Sequence, residues 1–164
     1  MNIRNIEKQD LGSLSQLYWD CFTEELTWEK WTTWTASKLL NFFYDKQKDL
    51  FFLAEIDWRI VWAVVFIVKP WRDGNLLVDG EIFVHPDFQK EWIGSKLLYR
   101  CIYKAREEYN CRYICAITFS NYKHPLNYYL KLWFEVDKER IIIWGKSDLI
   151  LKNLEQCYLQ ENQL

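Results

Sequence analysis

The chain has 164 residues, half of them hydrophobic and 27% charged, a size and balance that suit one packed domain and exclude a disordered, collagen-like or low-complexity chain. Its 21 basic and 23 acidic residues leave a net charge of −2, so no long-range positive field is available to hold nucleic acid or an anionic membrane. The longest apolar run, Ile60 to Val68, is about half of what a helix needs to cross a bilayer.

The start, Met1-Asn2-Ile3-Arg4-Asn5-Ile6-Glu7-Lys8, lacks the apolar stretch and cleavage site of a secretory signal, so a cytoplasmic location is expected. Asn2 to Ile6 alternates polar and apolar and predicts a short strand. Leu11, Leu14, Leu17, Tyr18 and Cys21 then recur at helical spacing behind Asp10, a cap candidate. Residues 28 to 47 carry Trp28, Trp31, Trp34, Leu39, Leu40, Phe42 and Phe43 without Pro or Gly, which predicts a second helix. Leu50 to Ile56 and Ile60 to Val68, rich in β-branched and aromatic residues around Asp57-Trp58-Arg59, read as a hairpin. Pro70 to Asn75 reads as a loop with a turn at Asp73-Gly74, leading to a strand over Leu77 to Val84.

Pro86 ends that strand, and Ile93, Leu97, Leu98, Cys101, Ile102 and Ala105 mark one face of a helix running to about Tyr109. Arg112 to Phe119 reads as a strand, Pro125 suits the first turn of a short helix to Leu132, and Phe134 to Leu154 reads as two further strands. The order β-α-α-β-β-β-α-β-α-β-β predicts an α/β or α+β sheet with helices on its faces and one parallel pair. A single domain over 1–154 and a tail over 155–164 are expected.

Five cysteines (Cys21, Cys101, Cys111, Cys115, Cys157) form an odd set without a repeated short spacing, which suits buried thiols better than disulfides or zinc. His85 and His124 lie far apart, each beside a proline, and read as surface or turn residues. No metal site is expected.

The most informative segment runs from Val84-His85-Pro86 through Gln89-Lys90-Glu91-Trp92-Ile93-Gly94-Ser95. It places a strand, a tight loop and a helix start in succession. Such a junction aims backbone N–H groups and the positive helix end at one spot, which suits a diphosphate. A second motif is Tyr129-Leu130-Lys131-Leu132-Trp133-Phe134.

On these two motifs the chain resembles the GNAT superfamily of acyl-CoA-dependent N-acyltransferases. Val84, Pro86, Gln89 and Gly94 match its cofactor signature, and Tyr129 to Phe134 match its Tyr-x-x-Leu-Gly-Phe pattern except at the glycine. The resemblance implies a mixed, mostly antiparallel sheet of about seven strands with a splayed parallel pair, flanked by about four helices. It implies acetyl-CoA as acyl donor, a primary amine on a small molecule, peptide or protein as acceptor, direct attack, and no metal. Oligomeric state is open, with a homodimer as one option. Main-chain groups of Phe83 and Val84 would pair with the pantetheine arm. Amides of Gln89, Lys90, Glu91, Trp92, Ile93, Gly94 and Ser95 would cradle the pyrophosphate, Asn121 would touch the cofactor again, and Tyr129 would protonate the departing thiolate. For the base, Glu81 and Asp79 are the carboxylates at hand. Alternating with Gly80, they are expected on one face of their strand.

The departures have one direction. Trp58, Trp62, Trp92 and Trp133 all stand where this family commonly has glycine, in a chain with five glycines and ten tryptophans. A gene in which UGA encodes glycine, read with UGA as tryptophan, gives this combination. The alternative is a catalytically silent binding or interaction module in which a genuine Trp92 blocks the pyrophosphate loop.

Overall fold

A computed structural model describes residues 1–22, 29–89, 93–118, 123–138 and 146–151. In chain order the strands are β1 (Asn2–Asn5), β2 (Phe52–Ile56), β3 (Arg59–Trp71), β4 (Gly74–Val84) and β5 (Cys111–Ile114). The helices are α1 (Leu11–Cys21), α2 (Thr33–Gln47), α3 (Ile93–Tyr109) and α4 (Lys123–Lys131), with a further helical turn over 147–151. The chain divides into two units, Met1–Ile117 and Thr118–Leu164.

In the first unit the sheet order is β1-β2-β3-β4-β5, antiparallel throughout except for the final β4–β5 pair. This is the mixed, mostly antiparallel architecture expected, with five strands among the described residues. Alternation divides the sheet into two apolar faces. Leu14, Leu17 and Tyr18 of α1 and Ala36, Leu40 and Phe43 of α2 pack with Phe51, Leu53, Ala63, Val65 and Phe83 on one face. The intervening Phe52, Ala54, Trp62 and Val64 are also buried, and α3 contributes Leu97, Leu98, Cys101 and Ala105 on their side. Burial on both faces explains why Val61 to Phe66 is apolar without a break.

Three differences from expectation have local causes. The β3–β4 hairpin continues through the predicted loop at 70–75, pairing Pro70 with Asn75 and Trp71 with Gly74. Proline is tolerated there because β2 pairs β3 only as far as Val64, so beyond it that edge needs no donor. Asp10 does not cap α1 with its side chain. It accepts from the Glu7 amide at 2.7 Å and from Arg4 at 2.7 and 2.8 Å, and Arg4 also reaches Glu55 at 2.6 Å, tying β1 to β2. Of the two strands predicted over 134–154, residues 134–138 hold no regular element and 147–151 are helical, since a short apolar run reads either way. The remainder of that prediction lies outside the described residues. The strand expected over Arg112 to Phe119 is observed as Cys111–Ile114, residues 115–118 hold no regular element, and Phe119 lies outside the described residues.

The Arg4 hydrogen bond, followed by that from the Glu7 amide, holds the Asp10 carboxyl below its ordinary range. A carboxylate with a depressed folded-state pKa stabilises the fold above its unfolded value, and that contribution is lost as pH falls through the folded one. Asp10→Asn is expected to cost about 2 kcal/mol near neutral pH. In urea titrations the difference from the parent should close at strongly acidic pH.

Two tryptophans hold left-handed backbone. Asp57 and Trp58 form the two-residue loop between Ile56 and Arg59, with φ of 48° and 65°. Two positive φ values identify the type I′ hairpin turn, for which Asp-Gly is a preferred pair. In the second unit, Trp133 (φ 68°) follows α4. Its amide donates to the Leu130 carbonyl at 3.2 Å and that of Phe134 to Tyr129 at 3.2 Å, while the Tyr129 and Phe134 rings meet at 5.2 Å. These bonds make the Schellman ending, with Trp133 where glycine is usual. A left-handed conformation costs an L-residue about 1–2 kcal/mol, and neither indole recovers that by packing, being 98% and 93% exposed.

Candidate active site

The parallel pairing of β4 with β5 runs only from Asn75 to Leu77, extended by the Cys115 amide donating to the Leu77 carbonyl at 2.8 Å. Strand β4 continues to Val84. Among the described residues of this unit, its edge from Val78 to Val84 therefore has no partner strand. His85 donates its amide to the Val61 carbonyl at 2.8 Å, and the register carries the same pairing back through Phe83–Ala63 and Glu81–Val65. By antiparallel alternation the main-chain groups of Ile82 and Val84 then point to the open edge, and those of Phe83 turn toward β3. The expectation that Phe83 and Val84 both offer main-chain groups there becomes Ile82 and Val84. Phe83 contributes a buried ring instead, 1% exposed. The Cys21 thiol donates to the Val84 carbonyl at 2.9 Å, and burial pushes its pKa up to about 12, which keeps it a neutral donor.

Behind Val84 the chain enters a 3₁₀ turn over Pro86–Phe88, and α3 starts at Ile93. His85 is buried rather than at the surface, though it does serve the turn: its Nδ1 accepts from the Asp87 amide at 3.2 Å, and Arg59 contacts its Nε2. Gln89 is exposed, Gly94 buried and Ser95 half-buried. Lys90, Glu91, Trp92 and Asn121 lie outside the described residues. A helix's first turn presents amides that have no intrahelical acceptor, together with the positive end of the dipole, so the start of α3 can receive an anion. Trp62 stands over it. A Cβ on Gly94 would lie 1.6 Å from the Trp62 ring, and the indole N–H reaches the Phe88 carbonyl at 3.4 Å.

Glu81 is half-buried, and its Oε2 accepts from the Tyr18 hydroxyl at 3.2 Å. Burial raises its pKa to about 7, Tyr18 pulls against that shift, and the charges of Glu29 and Asp79 add to it. Tyr18 is itself buried among Phe22, Trp31 and Phe83, and its pKa is pushed up by burial and then by the Glu81 charge. Asp79 does not share this setting. It has φ 50°, and the β3–β4 register slips between Val65 and Ile67, leaving Phe66 opposite Asp79 and Gly80. This bulge breaks the alternation on which a shared face depended, and Asp79 is exposed.

Sequence reasoning missed Tyr18. Its helical spacing announced a core position but not the hydroxyl's target. Tyr18→Phe removes a bond that favours the charged carboxylate, so the Glu81 titration midpoint should move above about 7. Carboxyl-carbon NMR titration reads this directly. In the second unit, Tyr129 lies within α4, half-buried, with its ring against Phe134 and 5.7 Å from that of Tyr128. His124 lies in the same helix. Among the described residues no group of His, Cys, Asp and Glu could hold a metal, and no helix is long and apolar enough to cross a membrane.

The family model described as the Acetyltransferase (GNAT) family matches residues 11–134. The chain belongs to this family. Among solved structures, a possible acetyltransferase from Clostridium difficile 630 is similar at 13% identity and a TM-score of 0.73, over 88% of this chain and 97% of that one. The ribosomal-protein-alanine N-acetyltransferase of Brucella melitensis biovar Abortus 2308 is similar at 17% and 0.66, over 88% and 100%. An aminoglycoside N-acetyltransferase in complex with CoA is similar at 19% and 0.67, over 89% and 94%. Among curated proteins none matches. In this GNAT acetyltransferase Glu81 lies three residues before Val84 on the same strand.

Proposed function

We propose that the protein transfers an acetyl group from acetyl-CoA to a primary amine of a small molecule, peptide or protein by direct attack. The observation that carries this reading is the edge of β4, which among the described residues has no partner strand beyond Leu77 and is followed by the turn at Pro86–Phe88, with α3 starting at Ile93. An extended pantetheine arm suits that edge as an added strand. Ile82 and Val84 would offer it main-chain groups, and the segment from Gln89 to Ser95, with Lys90, Glu91, Trp92 and Ile93 between them, would hold the pyrophosphate. Asn121 would supply a further contact.

Acetyl-CoA supplies the activated acetyl thioester. The protein's own residues supply proton movements and orientation. Glu81, its pKa raised to about 7 by burial, would take a proton from the bound ammonium so that the neutral amine attacks the thioester carbonyl carbon, and Tyr18 orients its carboxylate. The main-chain amide of Val84 would polarise the thioester carbonyl. Tyr129 would return a proton to the departing thiolate.

Calorimetry with acetyl-CoA and free CoA tests the reading. Saturable binding of both, reduced at least tenfold by Gly94→Glu, supports it. Absence of binding by the folded chain with tryptophan at position 92 would favour a silent binding module.

A further inference from the structure

We infer that the natural chain carries glycine at positions 58 and 133, and by the same codon reading at 62 and 92. The backbone supplies the first argument. Among the described residues, five non-glycine positions have positive φ: Asp57, Trp58, Asp79, Asn110 and Trp133. Three are Asp or Asn, whose short polar side chains tolerate this region. The other two are both tryptophan, a residue with no such tolerance, and each occupies a motif position that selects glycine for a separate reason. Trp58 is the second central residue of a type I′ hairpin turn after Asp57, and Trp133 ends α4 with both Schellman hydrogen bonds formed. Neither indole is buried by the fold, so side-chain packing does not explain either residue.

The second argument is that one substitution type accounts for all four sites. At position 62 the indole sits on the backbone of Gly94, where a Cβ would stand 1.6 Å from the ring. Glycine there would leave the start of α3 free to close on β3 and would release the Phe88 carbonyl from the indole N–H. At position 92, glycine turns Gln89-Lys90-Glu91-Trp92-Ile93-Gly94 into the spacing in which backbone approaches a diphosphate without side-chain obstruction. A gene in which UGA specifies glycine produces these four changes together, with no event particular to any one site.

Thermal unfolding separates this inference from the acetyltransferase reading, because it needs no ligand. Trp58→Gly and Trp133→Gly are each expected to raise Tm by about 2–5 °C, as strain at positive φ is relieved. Trp19→Gly, inside α1, should lower it, since glycine weakens a helix interior. The codons at 58, 62, 92 and 133 should be UGA, and the intact mass from the native host should match glycine at each. UGG at these positions, or a fall in Tm for the first two variants, would overturn the inference.

Discussion

Glu81→Gln is expected to lower kcat/KM by about 10²–10⁴-fold, the usual weight of a positioned general base. With the carboxyl raised to about 7, the parent's kcat/KM should fall on the acid side of neutrality, and the residual activity of the variant should lose that limb. The same substitution should stabilise the protein at alkaline pH. A carboxyl whose folded-state pKa is raised contributes its full stability below the unfolded value of 4.5 and loses it as pH rises through about 7. Removing the charge then gains up to about 3 kcal/mol at pH 8 and little at pH 4. A purely structural role for Glu81 predicts the reverse pairing, with stability and activity falling together.

Tyr129→Phe should lower kcat by about 10²-fold or more, with the ring contact to Phe134 retained. The informative readout is dependence on the leaving group. An acyl donor whose thiol is more acidic needs less help in departing, so the penalty should shrink with it. A penalty equal for all donors would assign Tyr129 to packing.

The fold was legible where one face of an element had to be buried. Leu14, Leu17 and Tyr18 announced α1, and Leu97, Leu98 and Cys101 announced α3, because the 3.6-residue period survives any loop. The strands were legible in place but not in extent. Nothing in Pro70 or Trp71 shows that β2 has already stopped pairing, which is what lets the hairpin continue. The bulge at Asp79 was hidden for a related reason, since it comes from the fit of Phe66 against Gly80, a contact between strands. Next to the candidate site, the succession of a strand ending at Val84, a turn at Pro86 and a helix from Ile93 could be read because proline and the apolar period are local signals. The Tyr18–Glu81 bond could not, as it joins residues 63 apart in sequence. Trp58 and Trp133 were visible as misfits by composition and family pattern, and the positive φ values supply their physical content.

The most direct measurement is a crystal structure of the protein soaked with CoA. The account predicts the diphosphate against the first turn of α3 and the pantetheine arm along Ile82 to Val84. Nucleotide bound elsewhere, with the β4 edge still open and the start of α3 still covered by residue 62, would contradict it.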